Sequence, residues 1–348
     1  MERPELLTSH ALPIDAQALR AYLAQKLPEF DAPIEVQKFS GGQSNPTYKL
    51  TVLGRGDYVL RKKPPGQLLA TAHMVDREYK VIRGLYGSGV PVAKPIWYCD
   101  DASVIGTEFY VMEYVSGRIF WDPTLPQLPA AERGALYAEM ARVLAALHGV
   151  DYVARGLKDY GKPGNYFARQ IRRWTEQYVA SKTESIPSMD ALIEWLPAHM
   201  PPDETTTLVH GDYRFDNMVF HPTEPRVLAV LDWELSTLGN PLADLAYNCM
   251  AYHLPGPERP ALAELAGPES GIPTEAEYVA EYCKHNGQQG IPHFEFYLAF
   301  SLFRYASIVQ GVVKRGLSGN ASSGKEAGTY TVRVRLASDK GWELAQRS

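Results

Sequence analysis

His210-Gly211-Asp212-Tyr213-Arg214-Phe215-Asp216-Asn217 leaves the short apolar run Thr207 to Val209, and fifteen residues after Asn217 comes Asp232-Trp233-Glu234, at the end of a second such run, Val227 to Leu231. Both runs read as brief buried strands, and each ends in a cluster of acidic and polar side chains. Strand ends that deliver oxygen-bearing groups in this way are where chemistry is expected. A carboxylate such as Asp212 can orient a hydroxyl and accept its proton. An amide oxygen from Asn217 and a second carboxylate from Asp232 are the hard ligands that Mg²⁺ takes while keeping room for phosphate and water. His210 reads as a structural residue that braces the loop through backbone hydrogen bonds.

The spacing resembles the catalytic loop and metal-binding Asp of kinases. More closely it resembles the H-G-D-x-x-x-x-N pattern, followed by hydrophobic residues and D-W or D-F, of the aminoglycoside phosphotransferase and choline kinase superfamily. That resemblance implies an α+β, bilobal protein-kinase-like fold: an N-terminal antiparallel sheet lobe with one helix and a larger, mainly helical C-terminal lobe. It also implies ATP and Mg²⁺ as cofactors, Asp212 as the base, and Asn217 and Asp232 as metal ligands. Arg214 takes the place of a Lys in protein kinases and is expected to neutralise the transferring phosphoryl oxygens.

Upstream, apolar periodicity predicts a leading helix from Ile14 to Leu27, stopped by Pro28. β-type runs follow at Ile34 to Phe39, Tyr48 to Leu53 and Tyr58 to Lys62, then a helix from Val75 to Tyr86 and strands near Ala93 to Tyr98 and Glu108 to Val115. The expected organisation is an N-terminal helical extension (1–33), a nucleotide-binding lobe (34–115) and a lobe with the catalytic loop, metal site and acceptor site (116–348). The run Tyr58-Val59-Leu60-Arg61-Lys62-Lys63 resembles the kinase strand whose cation reaches the nucleotide phosphates and pairs with a helix Glu. Its apolar pattern puts Arg61 in that slot, Val59 over the adenine and Lys62 on the opposite face, with Lys62 as the alternative should the register slip by one. Glu78 is the expected ion-pair partner. Between the first two strands, Ser40-Gly41-Gly42-Gln43-Ser44-Asn45 offers small residues where backbone N–H groups can approach phosphates; Gly41, Gly42, Ser44 and Asn45 are its candidate contacts. Phe109-Tyr110-Val111-Met112-Glu113-Tyr114-Val115 resembles the strand entering the hinge, which places Met112, Glu113 and Val115 beside the adenine.

Beyond the hinge the pattern is helical, near Leu136 to Leu147, Phe167 to Tyr178, Leu242 to Tyr252, Glu275 to His285 and Phe294 to Lys314, with a last candidate helix near the C-terminus. Asp244, twelve positions after Asp232, is expected to brace the catalytic loop. That short interval leaves no room for a long activation segment, which argues against a protein kinase. Gly319 to Glu326 nearly fits a P-loop, yet Glu326 stands where the metal-binding hydroxyl belongs and no apolar strand precedes it. No G-x-S-x-G occurs, so a hydrolase triad has no motif to rest on.

Composition bounds the rest. The 348 residues are 45% hydrophobic and 22% charged, as in ordinary globular proteins, with three scattered cysteines, Cys99, Cys249 and Cys283. No run of eighteen apolar residues and no leader pattern at Met1-Glu2-Arg3-Pro4-Glu5 occurs, which predicts a soluble cytoplasmic protein. A net charge of -5 gives no reason to expect nucleic acid or a membrane as partner. Residues 284–348, however, carry nine Lys or Arg against four Asp or Glu. A basic region there disfavours polycationic aminoglycosides and favours an anionic or neutral acceptor. Matches at Tyr58 to Gly66, Val75 to Tyr79, Val104 to Gly106 and Phe109 to Tyr114 are similar to the kinase-like domain that accompanies certain acyl-CoA dehydrogenases. This implies a functional link to such an enzyme and a hydroxy acid or hydroxyacyl-CoA acceptor, with Arg304, Lys314 and Arg315 as candidate contacts; a solvated helix face is the alternative for those three. Two rival functions stay open at this point: a nucleotide-binding pseudokinase with a regulatory role, and a hydrolase using the same acids with water.

Overall fold

The computed structural model describes residues 6–7, 14–39, 45–64, 74–202, 205–256, 259–317 and 327–347. In chain order the elements are β1 (Leu6–Leu7), α1 (Ala16–Ala24), β2 (Ile34–Phe39), β3 (Thr47–Val52), β4 (Gly56–Lys62), α2 (Val75–Leu85), β5 (Pro95–Cys99) and β6 (Phe109–Glu113). After them come α3 (Ala130–His148), α4 (Tyr166–Ser181), α5 (Pro187–Ala198), β7 (Thr207–Val209), β8 (Met218–Phe220), β9 (Val227–Val230) and β10 (Thr237–Gly239). The chain ends with α6 (Pro241–His253), α7 (Leu262–Leu265), α8 (Glu275–His285), α9 (Phe294–Leu317) and α10 (Ala327–Ala345). They form two compact units: one of residues 1–121, 152–160 and 215–236, the other of residues 122–151, 161–214 and 237–348.

The first unit is built on an antiparallel sheet in the order β1-β2-β3-β4-β6-β5. The three β-type runs that the sequence predicts here form β2, β3 and β4 as an antiparallel meander. β6 then inserts beside β4 and leaves β5 at the edge. Alternation assigns the faces. Tyr48, Leu50, Val52, Leu60, Phe109 and Val111 join Leu19, Leu23 and Phe30 in one apolar cluster, so α1 and the turn after it cover that face. Lys62, two residues on from Leu60, is also buried. The intervening residues Val59 and Arg61 therefore point to the other face, paired in register with Met112 and Tyr110. Helix α2 buries Val75, Glu78, Val81, Ile82 and Leu85, a helical stripe in which one member is a carboxylate.

The same unit contains the hairpin β8–β9, which the sequence pattern showed only in part because three residues are too few to display a period. Met218 opposes Val230, and the next pair outward is joined by the Leu231 N–H donating to the Asn217 carbonyl at 2.8 Å. Asn217 and Asp232 thus emerge at the same end of one hairpin.

The second unit is helical around α9, whose neighbours are α4, α5, α6 and α10. Helix α9 is the one helix among the described residues long and apolar enough to cross a membrane, but 83% of its apolar window is buried inside the protein, which makes it a core helix. Two features escaped the sequence pattern. Helix α5 starts on Pro187 and contains Pro197, and β10, the three-residue partner of the expected strand β7, is too short to show a period. Strand β7 delivers His210 and the loop after it.

Candidate active site

In the first unit the site is centred on Arg61. Its Nε lies 3.0 Å from Glu78 Oε2, a contact that is ionic rather than an aligned hydrogen bond. Its Nη2 donates to Asp232 Oδ1 at 2.7 Å and stands 3.6 Å from Glu234 Oε2. Glu78 in turn accepts from Asn45 Nδ2 at 2.5 Å and from the Tyr110 hydroxyl at 3.0 Å. Burial pushes the Glu78 carboxyl up to about 7, against the opposing charge of Arg61 and the Tyr110 hydrogen bond. For Arg61, burial works against the charge, yet Glu78, Tyr110 and Asp232 outweigh it, so the guanidinium is held charged. Lys62 faces away, and burial lowers its pKa.

Asp232 has left-handed backbone, φ 61° and ψ 62°, a conformation that costs a non-glycine residue about 1–3 kcal/mol. Trp233 holds the strained turn: its ring is buried, and Nε1 donates to the Val230 carbonyl at 3.0 Å. Asn217 and Asp232 sit at a single hairpin end, and a cation, the Arg61 guanidinium, already rests on the Asp232 carboxylate. This donor set fits Mg²⁺, which binds through one or two protein oxygens and takes the rest of its shell from phosphate and water. No group of three His, Cys, Asp or Glu able to hold a metal unaided occurs among the described residues.

In the second unit the loop after β7 is clamped from beneath. Asp244, at the start of α6, is buried and accepts from the backbone N–H of His210 at 2.5 Å and of Gly211 at 2.7 Å. Burial opposes its ionisation, but the hydrogen bond from His148 and the backbone N–H of His210 hold the carboxyl below its ordinary range. His210 is fully buried, and its Nδ1 accepts the Asp212 N–H at 3.2 Å, the bracing role expected of it. Gly211 carries φ +84°, a turn conformation that a side chain would strain. Asp212 receives a hydrogen bond from the Tyr247 hydroxyl at 2.7 Å on Oδ1, and Arg214 Nε lies 3.2 Å from the same oxygen.

The remaining expected site residues divide. Gly41, Gly42 and Ser44 lie outside the described residues. Asn45 is described, and its Nδ2 donates to Glu78 Oε1. Val59 lines the Arg61 face with half-buried Met112 opposite it. Val115 is half-buried and Glu113 exposed; the Glu113 N–H already donates to the Lys94 carbonyl at 2.9 Å, so the carbonyl is the group it could offer an adenine. Arg304, Lys314 and Arg315 do not act as one set: Lys314 and Arg315 are exposed near the end of α9, whereas Arg304 is buried and donates to the Gly211 carbonyl at 2.9 Å. Sequence reasoning missed Tyr110 and Tyr247. Their positions in the strand and helix patterns carried the only signal.

Comparison with known proteins bears on this arrangement. The model of the phosphotransferase enzyme family matches residues 35–278. The chain belongs to that family. It is 46% identical over 340 residues to mouse acyl-CoA dehydrogenase family member 10, covering 97% of this chain and 31% of that protein. The chain thus spans under half the length of the curated relatives it matches. A Ralstonia eutropha protein solved as a candidate aminoglycoside phosphotransferase is 52% identical, with a TM-score of 0.88, 96% of this chain and 99% of that one being covered. Choline kinase from Cryptosporidium parvum, at 14% identity and a TM-score of 0.63 over 96% of this chain and 97% of its own, shares the fold alone. The family member is a kinase-type phosphotransferase of α+β, kinase-like fold.

Proposed function

We propose that this phosphotransferase moves the γ-phosphoryl group of ATP to a hydroxyl of a small anionic or neutral acceptor, a hydroxy acid or hydroxyacyl-CoA. The observation that carries the reading is the Arg61 bridge: a strand cation ion-paired with a buried helix Glu and hydrogen-bonded to the Asp that follows a hairpin. Such a cation neutralises nucleotide phosphates, and Glu78 aims it. Asn217 and Asp232 would hold Mg²⁺, which when bound supplies charge stabilisation on the phosphates. Asp212 takes the proton as the acceptor oxygen bonds to the γ-phosphorus, the bond to the bridging oxygen breaks, and ADP leaves with the electron pair. Arg214 offsets charge on the transferring group.

Acceptor class rests on two supports. The basic C-terminal region suits an anionic partner, and the curated relatives carry the matched stretch within acyl-CoA dehydrogenase family members. A functional link to an acyl-CoA dehydrogenase follows as part of the proposal. ADP release, with mass spectrometry of products, across sugars, choline, aminoglycosides, hydroxy acids and hydroxyacyl thioesters tests it. ADP formation dependent on Mg²⁺ and greatest with the hydroxy acids or thioesters is expected. No ADP with any acceptor would remove the kinase reading, ADP at the same rate without acceptors would indicate a hydrolase, and preference for aminoglycosides would remove the acceptor class.

A further inference from the structure

Arg304 is 6% exposed and has no carboxylate partner among the described residues. Its Nε–H finds no acceptor. What surrounds the guanidinium is the Gly211 carbonyl at 2.9 Å from Nη2, the Tyr247 ring with its centroid 5.1 Å away and the Trp174 ring at 5.8 Å. A buried cation without an acid beside it is costly, and aromatic faces offset only part of that cost. Its contacts have a common object. Gly211 is the residue before Asp212, and the Tyr247 hydroxyl is hydrogen-bonded to the Asp212 carboxylate at 2.7 Å. One guanidinium therefore touches both the peptide that leads into Asp212 and the ring that holds its side chain.

We propose that Tyr247 and Arg304 are positioning residues that set the orientation of the Asp212 carboxylate for proton transfer, an inference that rests on reading Asp212 as the base. Tyr247 holds Oδ1, and the carboxylate so oriented takes the acceptor's proton as the new bond to phosphorus forms and the bridging bond breaks. Arg304 acts at one remove, fixing the Gly211 peptide through its carbonyl and the Tyr247 ring through its π face. Burial and the Asp212 charge raise the Tyr247 pKa, which keeps the phenol protonated and donating. The charged groups around this cluster include Arg214 on the loop, Asp244 on α6 and Arg173 on α4, which lies over the Trp174 ring.

The test compares Tyr247→Phe, Arg304→Met and Arg304→Lys, each alone and in an Asp212→Ala background. ADP release from Mg·ATP is read with 3-hydroxybutyryl-CoA and with water as acceptors. Tyr247→Phe keeps the ring and loses only the hydroxyl, so it carries the test even where Arg304→Met folds poorly. In the otherwise unaltered chain, Tyr247→Phe and Arg304→Met are expected to lower kcat about tenfold or more with KM for ATP and Tm little changed, and Arg304→Lys to recover part of the loss. In the Asp212→Ala background the same substitutions should cost less than about twofold, because the group they act through is gone. Equal losses in both backgrounds would make the role merely structural and overturn the proposal. Full kcat in Tyr247→Phe and Arg304→Met, with Asp212→Ala slow, would overturn it while leaving the base in place. Normal turnover in Asp212→Ala would remove the base and the proposal together, as would a wild-type chain that releases no ADP with either acceptor.

Discussion

Nη2 of Arg61 lies 2.7 Å from Oδ1 of Asp232, although 171 residues separate the two in sequence. The same guanidinium reaches Glu78 from its Nε. A planar group with several donors can make both contacts at once, whereas the point charge of a Lys ammonium suits one. The chain thus places a cation on a proposed metal carboxylate while a buried helix acid holds the cation's other edge.

Arg61→Ala should therefore weaken Mg·ATP binding by about tenfold or more, read as KM for ATP or by titration calorimetry, with a modest loss of Tm. Removing one partner of a buried ion pair ordinarily costs about 3–5 kcal/mol. Here the cost is limited because Glu78, with its carboxyl already pushed up to about 7, can take up a proton. Lys62→Ala is expected to lower Tm and leave nucleotide affinity intact, since Lys62 is buried on the α1 side of the sheet. The opposite outcome would transfer the phosphate role to Lys62.

Glu78 also gives the fold a pH signature. Its folded value, about 7, stands above the ordinary 4.5, so the folded state binds the proton more tightly than the unfolded chain. That contribution to stability is complete below about 4.5 and is lost as pH rises through about 7, amounting to at most about 3 kcal/mol. Denaturant midpoints for wild type and Glu78→Gln between pH 5 and about 8 should draw apart as pH rises, because the neutral amide of the variant has no proton to lose and so lacks the downward slope. Parallel curves would show that Glu78 does not titrate in this window.

Asp212→Ala and Asp232→Ala should each lower turnover by about 10² or more, but for different reasons. Asp212→Ala, as loss of the proposed base, should leave nucleotide binding intact. Loss of Asp232 removes the carboxylate from the metal side and should weaken Mn²⁺ binding in the presence of ATP, measurable by electron paramagnetic resonance. Unchanged Mn²⁺ affinity in Asp232→Ala would remove that residue from the metal site.

The short-range structure was legible in the sequence. Asn217 and Asp232 flank one local hairpin, and the face of Arg61 follows from strict alternation along β4. What stayed hidden depends on distant partners. Tyr247 meets Asp212 across 35 residues and Arg304 meets Gly211 across 93, each from a helix position that periodicity assigns to a buried face without saying what lies opposite. The grouping of Arg304 with Lys314 and Arg315 failed for a related reason: charge counts along a helix do not separate a buried guanidinium from a solvated one.

Asp244 offers the sharpest test of how the loop after β7 is held. Its two oxygens take the N–H groups of two successive residues, His210 and Gly211, and its carboxyl is kept ionised in a buried place. An Asn at this position has one oxygen, so its NH₂ would confront one of the two N–H donors and leave it unsatisfied, at a cost of about 1–3 kcal/mol before the lost charge is counted. Asp244→Asn should lower Tm by several degrees and speed amide exchange at His210 and Gly211. The wild-type carboxyl titrates below its ordinary value of 3.8, so its contribution is present above that pH and lost as pH falls through the folded value. The stability gap between wild type and Asp244→Asn should accordingly narrow in acid below about pH 4, and a gap that widens there would mean that Asp244 is not ionised in the native loop.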